Sequence, residues 1–163
     1  MPNKYDVDAS IKSRPPKLST DQRTQYQNTK SNTKLKAIDQ GESFISSFFD
    51  QNAHWIWIKD STEHPVIFTR TLTVPSEVRG IMQFIGDTIA TAYINNKEIG
   101  TVQWIDPSFK YPNFPVILKQ GENEIKMIGM SGQTQSKGVV LSIYDGNTGT
   151  IYVHTDTNWD VDY

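Results

Sequence analysis

The stretch Thr91-Ala-Tyr-Ile-Asn-Asn-Lys-Glu-Ile-Gly100 has the pattern of two short strands joined by a tight turn. Ala92 and Ile94 alternate with more polar neighbours, which is the period-two pattern of a β-strand. Asn95 and Asn96 follow directly, and asparagine tolerates the left-handed backbone that a tight hairpin needs. The stretch therefore predicts a β-hairpin.

Other segments on both sides of this hairpin alternate in the same way or form short apolar runs. They are residues 54–58, 66–74, 81–85, 124–127, 139–143 and 151–154. Turn sequences such as Gln120-Gly121 and Asp145-Gly146-Asn147 separate several of them. Short strands at this spacing predict an all-β fold, an antiparallel β-sandwich or jelly roll. We expect its core to include Phe68, Leu72, Ile94, Ile125 and Leu141.

The first part of the chain has a different composition. Residues 1–40 carry eight Lys/Arg against four Asp, a balance of +4, whereas residues 41–163 carry eight Lys/Arg against fourteen Asp/Glu, a balance of −6. Apolar side chains are few and scattered in residues 1–40, and their burial would not offset the entropy cost of folding this segment alone. We therefore predict an extended or disordered arm over 1–41 and a β-sandwich domain over 42–163.

The arm contains the residues that we expect to contact a partner. Two consecutive prolines stiffen an extended segment, and the cations beside them suit an acidic surface. The predicted contacts are Lys12, Arg14, Pro15, Pro16, Lys17 and Arg23. At the start of the domain, apolar side chains at helical spacing predict a short amphipathic helix; they are Phe44, Ile45, Phe48 and Phe49.

Composition narrows the function classes. The 163 residues contain no cysteine and have a net charge of −2, so disulfides and thiolate chemistry are excluded and a nucleic-acid partner is not expected. The N-terminus lacks the apolar run of a secretory signal, and no window is long enough to cross a bilayer, so we expect synthesis in the cytoplasm and no membrane partner. His54, His64 and His154 share no metal-ligand spacing, so we expect no metal site and no cofactor.

Read together, the segments resemble the galactose-binding-like β-sandwich that precedes the catalytic barrel of bacterial α-L-rhamnosidases. The matching pieces begin with His54-Trp-Ile-Trp57 and end with Thr155-Asp-Thr-Asn-Trp159, and they place Trp55, Trp57 and Trp159 in the framework. Asn96 stands where the family's turn usually has glycine. The sequence ends at Tyr163, where those enzymes continue into their barrel, so the resemblance implies a packing or ligand-contact module and transfers no catalytic residue.

An aromatic and proline-rich segment, residues 101–115, is predicted to be a long loop. Such loops are often contact surfaces. Trp104, Phe109 and Tyr111 are therefore candidate ligand or partner contacts, and Trp104 or Tyr111 is expected to stack on a sugar if one is bound. The alternative is that these rings cap one end of the sandwich.

Two functions follow from these observations. The first is a non-enzymatic structural module anchored by its arm to other protein subunits of an assembly, such as a minor capsid or virion protein. The second is a carbohydrate-binding, lectin-like module whose partner is a glycan. No arrangement of catalytic residues in the sequence indicates an enzyme.

Overall fold

The computed structural model describes residues 35–42, 45–59, 64–132 and 137–163. In these ranges the secondary structure is entirely β, with twelve strands. The strands are β1 (Leu35–Lys36), β2 (Ile38–Glu42), β3 (His54–Trp57), β4 (Val66–Val74), β5 (Val78–Asp87), β6 (Ile89–Ile94), β7 (Lys97–Gln103), β8 (Phe114–Leu118), β9 (Gly121–Met130), β10 (Gly138–Tyr144), β11 (Ile151–His154) and β12 (Asp160–Asp162). The all-β prediction is confirmed.

The strands pair in the order β1-β12-β4-β9-β6-β7-β5-β10-β3-β2, with β8 beside β5 and β11 beside β10. Every pairing among the described strands is antiparallel except one parallel bridge between Gly86 of β5 and Gln103 of β7. That bridge joins two layers, which face each other across the core. Trp57 of β3 and Phe68 of β4 show this, since their ring centroids lie 5.6 Å apart. The result is a β-sandwich joined along one side.

The core confirms most of the predicted burial. Phe68, Ile94, Ile125 and Leu141 are all buried. Leu72 is half-buried and packs at the margin of the core, so its predicted full burial is wrong. The reason is its place near the end of β4, where its cross-strand partner is the polar Asn123.

The three tryptophans of the predicted framework also differ in their burial. Trp57 and Trp159 are fully buried, and the indole nitrogen of Trp159 donates a hydrogen bond to the carbonyl of His154. Trp55 is half-buried and packs against the core from its edge. Large apolar rings at these positions join the two layers of the sandwich, because each removes a large area from water.

The central hairpin forms as predicted. Asn95 and Asn96 have φ of 51° and 67°, the left-handed values of a two-residue type I′ turn. The β6–β7 register shifts between Ala92 and Tyr93, which face Gly100 and Glu98 respectively. Ile99 is therefore the extra residue of a β-bulge, a feature that redirects a side chain out of the regular alternation.

The segment before β3 is not the predicted helix. From residue 45 onward it is a series of turns, and position 44 lies outside the described residues. Gln83 explains the path, because its amide donates to the carbonyl of Ser47 and accepts the N–H of Phe49. Ile45 and Phe48 are buried, so the segment covers the face of β5 that carries Gln83. Hydrogen bonds to the sheet replace those of a helix.

Strands β1 and β2 belong to the sheet although they fall within the predicted arm. Leu35 pairs with Val161 of β12, and Ile38 pairs with Trp57 of β3, so the two strands lie on opposite layers. Ala37 between them is buried, and its N–H donates to the carbonyl of Trp159. The sheet therefore starts before residue 42, and residues 35–42 close the side of the sandwich opposite the β5–β7 bridge.

Candidate functional site

Two of the three candidate rings in the aromatic loop between β7 and β8 are buried. Trp104 is 7% exposed and Tyr111 is 4% exposed, and their rings stack with centroids 6.1 Å apart. Phe109 remains 43% exposed and meets Tyr111 edge-on at 4.9 Å. Burial leaves neither Trp104 nor Tyr111 a free face for a sugar, which corrects the stacking role predicted for them.

The Tyr111 hydroxyl holds this loop together. It accepts hydrogen bonds from the N–H groups of Ile105 and Asp106 and donates to the carbonyl of Asp106. Burial raises the pKa of Tyr111 above its usual value, so the hydroxyl keeps the proton that it donates. Ser47 donates from its hydroxyl to the carbonyl of Phe109, which ties the loop to the segment before β3. The rings thus form a cap, and Phe109 is the candidate contact that stays accessible.

The other predicted contacts lie in the arm. Lys12, Arg14, Pro15, Pro16, Lys17 and Arg23 all fall outside the described residues. Their contact with partner subunits stays a prediction.

A Ser–Asp–His cluster connects the segment before β3 to strands β10 and β11. The Ser142 hydroxyl and the His154 Nδ1 both contact the same oxygen of Asp50, Oδ2, at 2.9 and 2.7 Å. The Asp50 side chain is 2% exposed, and its other oxygen accepts the N–H of Asn52. In a hydrolytic triad histidine lies between serine and the carboxylate. Here the carboxylate is central, so the cluster ties the segment to β10 and β11.

Replacing Asp50 with asparagine is expected to lower the free energy of unfolding by about 1 to 3 kcal/mol, because charge-assisted hydrogen bonds to a buried acceptor are lost. Asp39→Asn is the matched control, since Asp39 makes a similar 2.9 Å contact with His54 but both side chains are substantially exposed. It should cost less than about 1 kcal/mol. Urea unfolding of the two variants measures the difference, and equal costs would contradict a structural role for the buried cluster.

Two features are absent from the described ranges. Residues 35–42, 45–59, 64–132 and 137–163 bring together no group of three or more His, Asp or Glu side chains that could hold a metal ion. Over the same ranges, no helix has the length and apolar character needed to span a bilayer.

The fold contains a cleft of about 750 Å³. It lies between β7 and β8, because β7 reaches β5 only at the Gly86 bridge, while β8 pairs with the other half of β5, from Val78 to Met82. The two strands therefore diverge toward the Asn95–Asn96 turn. Glycine at position 100 allows the Phe114 ring to approach the backbone of β7, since a Cβ there would lie 2.7 Å from the ring.

The cleft has an aliphatic lining and a polar rim. Its apolar lining residues are Ile81, Ile94, Ile99, Pro115, Val116 and Ile117. Ile117 alternates with the buried Val116 and Leu118 and is itself 54% exposed, and the β-bulge contributes Ile99. The polar residues of the lining are Arg79, Asn95, Lys97 and Asn147.

These polar residues differ in their availability to a ligand. The Asn95 amide is engaged, since it donates to Asn123 Oδ1 and accepts the N–H of Glu124. Within the described part of the chain, the side chains of Lys97 and Asn147 make no hydrogen bond or ion pair. Among the described residues, Arg79 has one distant contact, 3.9 Å to the Glu77 carboxylate. Three polar side chains are therefore free to bind a molecule in the cleft.

Asp145 fixes the turn that carries Asn147. Its carboxylate accepts the N–H groups of Thr148 and Asn147 and the hydroxyl of Tyr152. These hydrogen bonds, the one from Thr148 first, favour the charged form and lower the pKa of Asp145 below its usual value. The stabilisation is therefore present above the ordinary pKa of the carboxyl and is lost as the pH falls through the lowered value. At neutral pH the turn is held in place.

The cleft residues form no recognisable site in the sequence. Arg79, Lys97, Ile117 and Asn147 lie on four separate elements, and none forms a motif with another. The sequence did mark Asn147 as part of a turn, but only strand pairing brings that turn beside the hairpin.

Comparisons with known proteins agree with the fold. No protein-family model matches the chain, and no curated protein matches it. Among solved structures, a Pleurotus ostreatus lectin in complex with GalNAc is 20% identical with a TM-score of 0.56, over 78% of this chain and 39% of the lectin. The apo form of that lectin gives 21% identity and the same TM-score.

Rhamnosidases also match, among them the following two. That of Bacillus sp. GL1, a member of family GH78, is 16% identical with a TM-score of 0.53, over 68% of this chain. The Streptomyces avermitilis α-L-rhamnosidase, solved with L-rhamnose, is 11% identical with a TM-score of 0.52, over 80% of this chain. The chain spans 13% of each enzyme. These matches support the predicted resemblance, and the chain has a galactose-binding-like β-sandwich fold similar to domains of rhamnosidases.

Proposed function

We propose that this protein is a non-catalytic carbohydrate-binding module and that the cleft between β7 and β8 is its saccharide site. The observation that carries the proposal is the free polar rim, Arg79, Lys97 and Asn147, around an aliphatic lining. A pyranose has an apolar face of C–H groups and an edge of hydroxyls. Ile99, Pro115 and Ile117 can pack on the face, while the rim donates to the hydroxyls and accepts from them.

The fold gives secondary support. A lectin solved with GalNAc shares the fold, as do domains of enzymes that act on rhamnosides, but the same fold can serve unrelated functions. The local chemistry of the cleft is therefore the stronger argument. Within the described ranges, the Ser142–Asp50–His154 cluster has the wrong order for hydrolysis, which favours binding over catalysis.

The test is glycan-array binding followed by calorimetry on the best glycan, with substitutions at the cleft. Asn147→Ala and Ile117→Asp should each weaken binding at least about tenfold, because one removes a hydroxyl partner and the other an apolar contact. Ile151→Asp is the matched control, since Ile151 is also an exposed isoleucine but does not line the cleft. Its affinity should stay within about twofold of the parent.

Two results would contradict the proposal. The first is the absence of binding to any glycan by a folded sample. The second is binding that Asn147→Ala and Ile117→Asp leave unchanged while Phe109→Ala removes it, which would move the site to the exposed ring of the aromatic loop.

The assembly function expected from the sequence rests on the arm and stays a prediction. The comparisons give it no support, since the matched structures are a lectin and rhamnosidases. A virion location and synthesis in the cytoplasm are likewise untested predictions. Binding through the arm and saccharide binding in the cleft use different parts of the chain, so both can hold.

A further inference from the structure

We propose that the cleft selects acidic saccharides, those that carry carboxylate or sulfate groups. This inference rests on the proposed saccharide site and specifies its ligand class. It starts from the charges of the lining: Arg79 and Lys97 are cationic, and none of the lining residues is a carboxylate. The chain as a whole has a net charge of −2, so the positive charge of the cleft is a local feature that runs against the overall sign.

The carboxylates nearest in sequence to the lining form no ion pair with Arg79 or Lys97 among the described residues. Asp145 precedes Gly146 of the lining, but its oxygens are used by the N–H groups and the hydroxyl of its own turn. Glu98 follows Lys97 but stands opposite Tyr93 in the β6–β7 pairing, on the other face of the hairpin. Glu98 therefore faces away from the cleft, and the charged Asp145 carboxylate is already engaged by the donors of its own turn.

Glu77 is the one described carboxylate in contact with a cleft cation. Its oxygen lies 3.9 Å from Arg79 Nη2, and the two side chains are 57% and 81% exposed. A pair so long and so exposed is held weakly, because solvent screens it and both side chains lose rotamer freedom on pairing. An anionic group on a ligand can therefore replace Glu77 as the partner of Arg79.

The two cations differ in what they recognise. The guanidinium of Arg79 presents parallel N–H donors that match the two oxygens of a carboxylate or sulfate, whereas the ammonium of Lys97 acts as a point charge. Lys97 follows the Asn95–Asn96 turn and Arg79 lies on β5, opposite Ile117. The cations thus come from the hairpin and from the β5–β8 pair, on either side of the aliphatic lining.

The test compares matched ligands by calorimetry on the full chain. One pair is a galacturonic acid trisaccharide and the same trisaccharide with its carboxyl groups reduced. The other pair is a heparin tetrasaccharide and its desulfated form, so the two pairs distinguish carboxylate from sulfate. We expect the charged member of at least one pair to bind at least about tenfold more tightly at low salt, with the difference shrinking as ionic strength rises.

Protein variants then locate the effect. The double variant R79Q/K97Q should lose at least about tenfold in affinity for the charged ligand, whereas the control K59Q/K110Q, which changes net charge equally at exposed positions outside the cleft, should lose less than about twofold. Glu77→Gln should have the opposite effect on affinity and strengthen binding about twofold, because it removes the competing carboxylate. A general loss of structure does not produce a gain.

The outcomes separate this inference from the proposed function. Equal binding of charged and uncharged ligands, unaffected by R79Q/K97Q but weakened by Asn147→Ala, would overturn acid selectivity and leave the saccharide site standing. No binding of any saccharide would overturn both. Equal losses in R79Q/K97Q and K59Q/K110Q would show a response to net charge alone and would also overturn the inference.

Discussion

Removing residues 1–42 is expected to unfold the sandwich, whereas removing residues 1–34 is expected to leave a cooperative transition. The longer deletion takes away β1 and β2, which pair with β12 in one layer and β3 in the other. Each lost ladder hydrogen bond costs about 1 kcal/mol, and two strand edges are exposed as well. Domains have only about 5 to 15 kcal/mol of stability, so a loss of this kind can exceed the whole.

A point substitution tests the same closure without a deletion. Ala37→Asp should cost roughly 3 kcal/mol or more, because it places a charge at a buried site between the two strands. Ile38→Asp is the matched control, since Ile38 is the next residue and is 37% exposed. It should cost clearly less. Thermal and urea unfolding measure both, and a stable 43–163 fragment would show that the closure contributes little.

The second large effect is expected in the centre of the core. Leu141→Ala should lower the free energy of unfolding by about 2 to 5 kcal/mol, through lost burial and the cavity that remains. Leu141 is fully buried on β10 and lies opposite Phe84 of β5. Leu72→Ala makes the same chemical change at the margin of the core and should cost less than half as much, because water already reaches that side chain.

Urea unfolding with a common m-value separates these two variants. A loss below about 0.5 kcal/mol for Leu141→Ala would be incompatible with a cavity in a packed core. Equal losses for the two variants would mean that half-burial of Leu72 does not reduce its contribution.

The sequence alone determined the features that depend on neighbours along the chain. Asn95 and Asn96 predict the tight turn because their side chains accept a left-handed backbone, and the structure has that turn. Period-two alternation places Phe68, Ile125 and Leu141 in the core, since a strand with one buried face needs that pattern. The all-β class and the resemblance to rhamnosidase sandwiches follow from the order of such local patterns along the chain.

Only the tertiary structure decided what depends on residues far apart in sequence. Helical spacing at Ile45 and Phe48 indicated a helix, but hydrogen bonds with Gln83, more than 30 residues away, favour a series of turns over the sheet. Trp104 packs against Trp55 of β3, and Ser47 of the segment before β3 accepts the N–H of Tyr111, so both rings are buried by contacts that no local pattern shows. The cleft forms where β7 and β8 diverge, so Arg79, Lys97 and Asn147 meet only after the strands pair. A site made by strand pairing leaves no motif in the sequence, because its residues share a place in space and no fixed spacing along the chain.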